Sequence, residues 1–224
     1  MTNPLNIYVI SLDNKVGNQR RDRLTYKYKW FKAPAKVDVE DFIKIKMTNF
    51  WSASQRYIDG KAGTFSSYYR LFKHIIELKL SRIIVAEDDC FLKETELELF
   101  LNNLPENITY LNGLPKHLGM SSKDYKYIPK EPGINQINHI KFRLFGTWGM
   151  YIPNYTDLIP IVERMEQQKR LTAIDIFFIK NKFINQYYYP SVFYCDEYGF
   201  SSVRDSLKSI VFDNYDKVKR NNFY

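Results

Sequence analysis

Cysteines, histidines and long apolar runs are all scarce in this chain of 224 residues. Cys90 and Cys195 are its only cysteines, so no disulfide framework is implied and a reducing compartment, the cytoplasm, is expected. Its three histidines (His74, His117 and His139) show no metal-ligand spacing. No apolar run approaches the roughly 20 residues that a membrane-spanning helix needs. These features predict a soluble protein without a histidine-based metal site.

Several familiar motifs are also missing. The sequence has no Ser–His–Asp, HExxH, P-loop or GxGxxG pattern, and no zinc-finger or RNP-type spacing. Its net charge of +8 and pI near 9.2 nevertheless permit a polyanionic partner. Because no run of six like charges occurs, nucleic acid is a poorer fit than a phosphorylated substrate or an anionic membrane touched peripherally.

Strand-like and helix-like segments alternate, which predicts one α/β domain over residues 1–204 and a polar extension over 205–224. The aperiodic segment 112–133 predicts a functional loop that helps to select the acceptor. The predicted strands are 5–12, 83–89, 108–111, 137–144, 147–152, 183–189 and 192–195, with one or two more in 37–47. The predicted helices are 19–31, 64–80 with Thr64 as N-cap, 95–103, 157–170 and 171–182.

Three adjacent carboxylates give the most informative pattern. The apolar run of residues 83–86 is followed at once by Glu87, Asp88 and Asp89. In open α/β sheets, ligands bind at the carboxyl ends of strands, and clustered acids need cations or hydrogen-bond donors. Such an oxygen cluster suits a hard divalent ion shared with a phosphate. Without that ion, nearby Arg or Lys should partly neutralise the acids. The alternative is a solvated turn whose acid caps the next helix.

The order of features along the chain resembles glycosyltransferase family 25, whose enzymes modify bacterial lipopolysaccharide and animal collagen. The resemblance covers roughly residues 5 to 203. The matching residues are Leu12-Asp13 with Arg20-Arg21-Asp22-Arg23, Gly60 to Tyr68, Glu87-Asp88-Asp89, Gly146 to Tyr151, Ala173-Ile174-Asp175, Pro190 and Ser201-Ser202-Val203. Thr64, Tyr68 and Ala173 stand where the family has Cys, His and Pro.

This resemblance implies a single-domain GT-A fold, Rossmann-like, with a mostly parallel central sheet flanked by helices. It implies a Mn²⁺- or Mg²⁺-dependent hexosyltransferase that takes its sugar from a UDP-hexose. The acceptor would be a hydroxyl on a glycan, a lipid-linked sugar or a protein. A divalent ion neutralises the diphosphate leaving group, and one or two carboxylates with the phosphates suffice to hold it.

Within this scheme the acids and arginines take distinct roles. Asp89 is the expected metal ligand, Glu87 reaches the metal-bound water or the ribose, and Asp88 assists. Asp13, at the end of the first strand, is a nucleotide contact. A guanidinium matches phosphate geometry, so Arg20, Arg21 and Arg23 are candidates for the diphosphate, against the alternative of a solvated basic helix face. Ser67 is assigned to the same cofactor-binding group.

Acceptor chemistry is expected elsewhere in the chain. An inverting transfer needs a general base, and Asp175 is the candidate because it is a lone acid in an apolar setting; capping a helix is its alternative role. Asp196 and Glu197 are the reserve pair. The resemblance assigns Gly146 and Thr147 to substrate binding. Trp148 and the Tyr187-Tyr188-Tyr189 cluster could stack on a sugar, although core packing explains most such aromatics.

Two other functional classes remain open on the sequence alone. A metal-dependent nucleotidyl- or phosphoryl-transfer enzyme also uses acids at a strand end, usually with a second set of carboxylates. A non-catalytic module that binds nucleic acid or glycan would need the acids only as a capped turn.

Overall fold

The computed structural model describes residues 5–34, 46–47, 55–112, 131–139, 147–168 and 170–195. The predicted tail 205–224, the reserve pair Asp196 and Glu197, and almost all of the predicted 112–133 loop lie outside these residues. The boundary predicted at residue 204 therefore stays a prediction.

Eleven strands and five helices lie in the described part of the chain. The strands are β1 (Asn6–Leu12), β2 (Lys29–Ala33), β3 (Lys46–Met47), β4 (Ser81–Glu87), β5 (Cys90–Leu92), β6 (Thr109–Tyr110), β7 (Gly133–Gln136), β8 (Gly149–Asn154), β9 (Arg170–Leu171), β10 (Gln186–Tyr189) and β11 (Phe193–Cys195). The helices are α1 (Lys15–Arg21), α2 (Gln55–Glu77), α3 (Glu94–Leu101), α4 (Ile159–Glu166) and α5 (Ile174–Asn181).

A seven-stranded sheet in the order β2-β1-β4-β8-β6-β10-β7 forms the centre of the fold. Strands β2, β1, β4, β6 and β10 run in one direction, whereas β8 and β7 run against them. Two short ladders, β11-β5 and β3-β9, lie outside this sheet. The α/β class and the mostly parallel, Rossmann-like sheet are thus confirmed.

Both faces of the sheet are buried, which explains why β1 and β4 read as continuous apolar runs. Side chains alternate between the faces, so Tyr8 and Ile10 join one core cluster while Ile7 and Val9 join the other. The first cluster contains residues of α2, α4 and α5, and the second contains Phe100 of α3. No helix among the described residues is both long and apolar enough to cross a membrane.

Two predicted elements near the start of the chain are wrong. The basic helix predicted over 19–31 is instead α1, which ends at Arg21, and β2, which pairs in parallel with β1. Thr64 does not begin a helix: it lies inside α2, where its hydroxyl donates to the carbonyl of Gly60. Tertiary packing of the apolar face of α2 outweighs the weak helix propensity of its two glycines.

The remaining elements follow the prediction with shifted ends. The strand predicted over 137–144 is an exception: β7 ends at Gln136, residues 137–139 are not in a strand, and residues 140–146 lie outside the described part. The helix predicted over 157–170 is a short 3₁₀ turn, Tyr155–Leu158, followed by α4. Tyr187 and Tyr188 are buried in the core, and the Tyr188 ring packs edge-on against Phe100. Core packing therefore accounts for these two tyrosines.

Candidate functional site

The three acids lie at the carboxyl edge of the sheet, as the strand pattern predicts. Strands β1 and β4 are parallel neighbours in which Ile10 pairs with Glu87. Ser11 therefore lies beside Asp88, just where both strands end. The alternative of an acid capping the next helix is wrong, because β5 follows the turn and Lys93 occupies the N-cap of α3.

Asp88 is buried and holds the turn together. Its Oδ2 accepts a hydrogen bond of 2.7 Å from the Ser11 hydroxyl, and its Oδ1 accepts one of 2.9 Å from Arg20 Nη1. The Asp88 and Arg20 side chains are only 10% and 12% exposed, so water screens their ion pair little. Arg20 supplies the neutralising cation that the sequence predicts for this cluster.

Arg20 also faces Asp89, whose Oδ2 is 3.9 Å from the same nitrogen. Burial alone would lower the pKa of Arg20, but the nearby carboxylates of Asp89 and Asp88 raise it above its usual value. One guanidinium thus serves two adjacent acids.

Arg21 on the same helix is engaged with the strand end instead. Its Nη1 donates to the Ser11 hydroxyl at 2.6 Å and to the Leu12 carbonyl at 2.8 Å. The guanidinium stacks 3.8 Å from the centre of the Trp30 ring, whose own N–H donates to the Ser11 carbonyl at 3.1 Å. These contacts tie the end of α1 to the ends of β1 and β2.

A glycine lets α1 start so close to the strand. A Cβ on Gly17 would lie 2.0 Å from the Leu12 carbonyl oxygen, so no other residue fits without backbone movement. Asn14 caps the helix by accepting from the Gly17 N–H at 2.8 Å. We did not identify Gly17 from the sequence, although an Asn three residues before a Gly after a strand end is a visible signal of a capped turn.

The Glu87 carboxylate is hydrogen-bonded to α2 and to the segment that precedes β8. Its Oε1 accepts hydrogen bonds of 2.6 Å from the Thr147 hydroxyl and 3.1 Å from the Tyr68 hydroxyl. The Tyr68 hydroxyl also lies 2.6 Å from the Thr147 carbonyl oxygen, which links α2 to the start of β8. Burial, and then the nearby Asp89, raise the pKa of Glu87 to about 7.

From the sequence, Tyr68 is known only as the residue that stands where the family has a histidine. The signal available was its position on the buried face of α2, one turn from other aromatics. The tertiary contact with Glu87 joins residues 19 positions apart and could not be read from that spacing.

The Asp89 side chain is more accessible than that of Asp88: it is 37% exposed, against 10% for Asp88. Burial raises the pKa of Asp89, while Arg20 opposes that shift. No group of three or more His, Cys, Asp or Glu side chains in the described residues has the geometry of a metal cage. A carboxylate with an accessible face fits a different arrangement, in which a hard divalent ion takes one protein ligand and several phosphate oxygens.

Three other predicted site residues lie in more ordinary surroundings. Asp13 is exposed and pairs with Lys32 Nζ at 2.7 Å, and this hydrogen-bonded cation lowers the pKa of Asp13. Ser67 is buried within α2 and donates to the Gly63 carbonyl at 2.7 Å. Arg23 lies with its guanidinium 5.0 Å from the Phe91 ring centre.

The predicted acceptor residues divide between described and undescribed parts of the chain. Thr147 is buried beside the acid turn, the name used here for Glu87, Asp88 and Asp89, and Trp148 packs against the second core cluster. Gly146 lies outside the described residues. Asp175, in the first turn of α5, accepts from the Ile176 N–H at 2.8 Å, but Ala173 occupies the N-cap, so the alternative of Asp175 as the helix cap is wrong.

Asp175 has one further neighbour of interest. Burial, and then the charge of Asp175, raise the pKa of Tyr110 well above its usual value. Tyr110 is the last residue of β6, and β6 runs in the same direction as β4, which ends at Glu87.

Comparison with known families gives a match that covers most of the chain. Residues 5–173 match the model of glycosyltransferase family 25, described as an LPS biosynthesis protein family. A search of curated proteins found no match.

Proposed function

This chain belongs to glycosyltransferase family 25 and is a glycosyltransferase; on that premise, we propose that it transfers a hexose from a UDP-sugar with the help of Mn²⁺ or Mg²⁺. The acceptor is a hydroxyl of a glycan, a lipid-linked sugar or a protein. The observation that carries the proposal is the acid turn, where Asp89 keeps an accessible carboxylate beside an Asp88 already paired with Arg20.

Asp89 is the residue that holds the divalent ion in this proposal. Both oxygens of Asp88 accept hydrogen bonds, and Oε1 of Glu87 accepts two, so Asp89 is the acid best able to take a new ligand. When bound, the ion acts as a Lewis acid that neutralises charge on the departing diphosphate. Glu87 reaches the ribose or a metal-bound water, and the other contacts of the turn keep Asp89 in place.

Arg20 supplies positive charge for the same diphosphate. Its guanidinium already lies between Asp88 and Asp89, so phosphate oxygens bound near Asp89 come within its reach. Arg21 supports that position through its contacts with the end of β1 and contributes charge at the same edge. Asp13, after β1, meets the nucleotide end of the donor.

Asp175 acts as the general base that removes the proton from the acceptor hydroxyl. It lies in the first turn of α5 close enough to affect Tyr110 at the end of β6, which supports a place at the same edge as the donor. Gly146, Thr147 and Trp148 help to bind the substrate there. The formal charge of +8 favours acceptors that are anionic or lipid-linked at an anionic membrane surface.

Thermal unfolding with nucleotides tests the donor and the metal together. UDP, GDP, UDP-glucose, UDP-galactose and UDP-N-acetylglucosamine are each added with and without Mn²⁺. A ligand at one hundred times its dissociation constant adds about 2.7 kcal/mol, or roughly 5–10 °C in Tm for a chain of this size. We expect a Mn²⁺-dependent rise with UDP or one UDP-sugar.

Asp89→Asn should abolish that rise, whereas Asp22→Asn, which changes an exposed acid just after α1, should not. A rise without Mn²⁺, or an equal rise in Asp89→Asn, would contradict the assignment of Asp89. No rise with any nucleotide would refute the proposed donor class.

The proposed base requires a separate measurement. Asp175→Asn should leave the UDP-sugar Tm rise unchanged and reduce kcat for transfer by about 10²–10⁴-fold. A loss of donor binding in this variant, or a kcat within twofold of the original, would contradict the role of Asp175.

A further inference from the structure

A cavity of about 400 Å³ lies at the end of the sheet where its parallel strands begin, opposite to the acid turn. Its lining residues come from the starts of β6 and β10, the end of β7, and the 3₁₀ turn and first turn of α4 that follow β8. Strand β8 runs from one edge to the other through six residues, which corresponds to about 20 Å. The cavity is therefore remote from the acids and is not part of the site described above.

One wall of the cavity consists of carboxamides held in place by the sheet. Gln136 and Gln186 pair across β7 and β10, with Nε2 of Gln136 3.5 Å from Oε1 of Gln186. Gln186 is buried, and its Nε2 donates to Thr109 Oγ1 at 2.6 Å and to the Asn107 carbonyl at 3.2 Å. The Gln186 carboxamide is thus preorganised, and the exposed Gln136 lies beside it.

Further polar groups complete the rim. Asn185 accepts at Oδ1 from His139 Nε2 at 2.9 Å, which orients its amide. Asp157, in the 3₁₀ turn, accepts at Oδ2 from the Asn154 N–H at 3.1 Å. Burial raises the pKa of Asp157, as expected for a carboxylate at the side of a cavity. Asn185 therefore offers amide hydrogens and Asp157 offers a carboxylate oxygen.

The rest of the lining is apolar. Ile108 and Ile161 are buried, and Pro160 and Phe183 complete this side. Phe183 packs against Phe177 in the core with a ring separation of 5.7 Å, so the apolar side rests on a fixed base. A few oriented polar groups opposite an apolar surface are typical of small-molecule sites.

We propose that this cavity binds a neutral saccharide unit. Planar amides and one carboxylate can donate to and accept from neighbouring sugar hydroxyls, while the apolar side suits the C–H face of a sugar ring. Asp157 is the single charged residue among the described lining residues, and its negative charge disfavours phosphates and nucleotides. Because the reacting groups lie at the other edge, this site anchors a part of a glycan distant from the hydroxyl that reacts.

Saturation-transfer difference NMR on the whole chain tests the proposal. The probes are the methyl glycosides of glucose, galactose and N-acetylglucosamine. We expect at least one to receive saturation, and Gln136→Ala combined with Asn185→Ala to weaken its binding at least about tenfold through lost hydrogen bonds. Both residues are exposed, so the variant should fold. Gln167→Ala, an exposed carboxamide just after α4, is the matched control and should bind as the original does.

The proposal does not depend on the donor or the metal. Asp89→Asn, and addition of UDP with Mn²⁺, should both leave the saccharide signal unchanged even if the proposed donor is wrong. Displacement by UDP would assign the saccharide to the acid turn and overturn the inference. So would the absence of signal from all three glycosides, or an equal signal in the double variant.

Discussion

Replacement of Arg20 by alanine should destabilise the protein through the acid that it leaves behind. Arg20 and Asp88 are 12% and 10% exposed, and their closest atoms are 2.9 Å apart. In Arg20→Ala, Asp88 keeps only the Ser11 hydroxyl as a side-chain donor among the described contacts. A nearly buried carboxylate would then face Asp89 without its cation.

The size of the effect follows from that burial. Removing one partner of a buried ion pair destabilises by about 3–5 kcal/mol. Because both side chains keep a small exposed fraction, we expect the lower value, about 3 kcal/mol. For a chain of 224 residues this corresponds to a fall in Tm of roughly 6–12 °C.

A double-mutant cycle measured by urea unfolding, without metal, isolates the charge effect. In the Asp88→Asn background, Arg20→Ala should lower the unfolding free energy by only about 1 kcal/mol, which leaves a coupling of about 2 kcal/mol. Arg23→Ala, which removes an exposed arginine near Phe91, should change stability by less than about 1 kcal/mol. If Arg20→Ala lowers the unfolding free energy equally in the original protein and in Asp88→Asn, the assigned ion pair is refuted.

Three further substitutions test other contacts of the site. Gly17→Ala should lower the unfolding free energy by roughly 2 kcal/mol because its Cβ would lie 2.0 Å from the Leu12 carbonyl oxygen. In the control Gly63→Ala, the added Cβ would lie 3.7 Å from its nearest atom, the Pro34 carbonyl oxygen, so this change should be neutral or stabilising. Equal Tm values for the two variants would contradict the steric argument. The pKa of Glu87 is raised in the fold from 4.5 to about 7, so stability on the order of 3 kcal/mol is lost as pH rises between those values. Because burial also raises the pKa of Asp89, Glu87→Gln should make that slope shallower in metal-free urea titrations without removing it, and an unchanged slope would contradict the assignment. Tyr68→Phe should cost about 1–2 kcal/mol by removing a buried donor, and a change within 0.3 kcal/mol of zero in urea unfolding would contradict that hydrogen bond.

The acid turn shows how far a local pattern can be trusted. A run of β-branched residues that ends in Glu87-Asp88-Asp89 predicts both a buried strand and its carboxyl end, and β4 follows that prediction. The same pattern treats the three acids as equivalent neighbours. Their surroundings differ because Glu87 lies against α2 and β8, Asp88 against β1 and α1, and Asp89 towards solvent.

The helix predicted over residues 19–31 is wrong because a tertiary contact outweighs the local pattern there. The basic segment carries helix-compatible residues throughout, so local propensity continues the helix. In the fold, Lys29–Ala33 becomes an edge strand because β1 offers an unpaired parallel neighbour, with Tyr8 beside Lys29. That pairing joins residues 21 positions apart, which periodicity does not report.

The sequence by itself determined the α/β class, the family, the strand that ends in acids and the positive charge of the α1 segment, because each depends on residue order or short-range periodicity. Only the tertiary structure decided which acid keeps an open face, that Arg20 pairs with Asp88, and that Tyr68 and Thr147 hold Glu87. These contacts join residues between 19 and 68 positions apart. Their geometry arises from the register of parallel strands and the packing of helices on the sheet, which no local pattern contains.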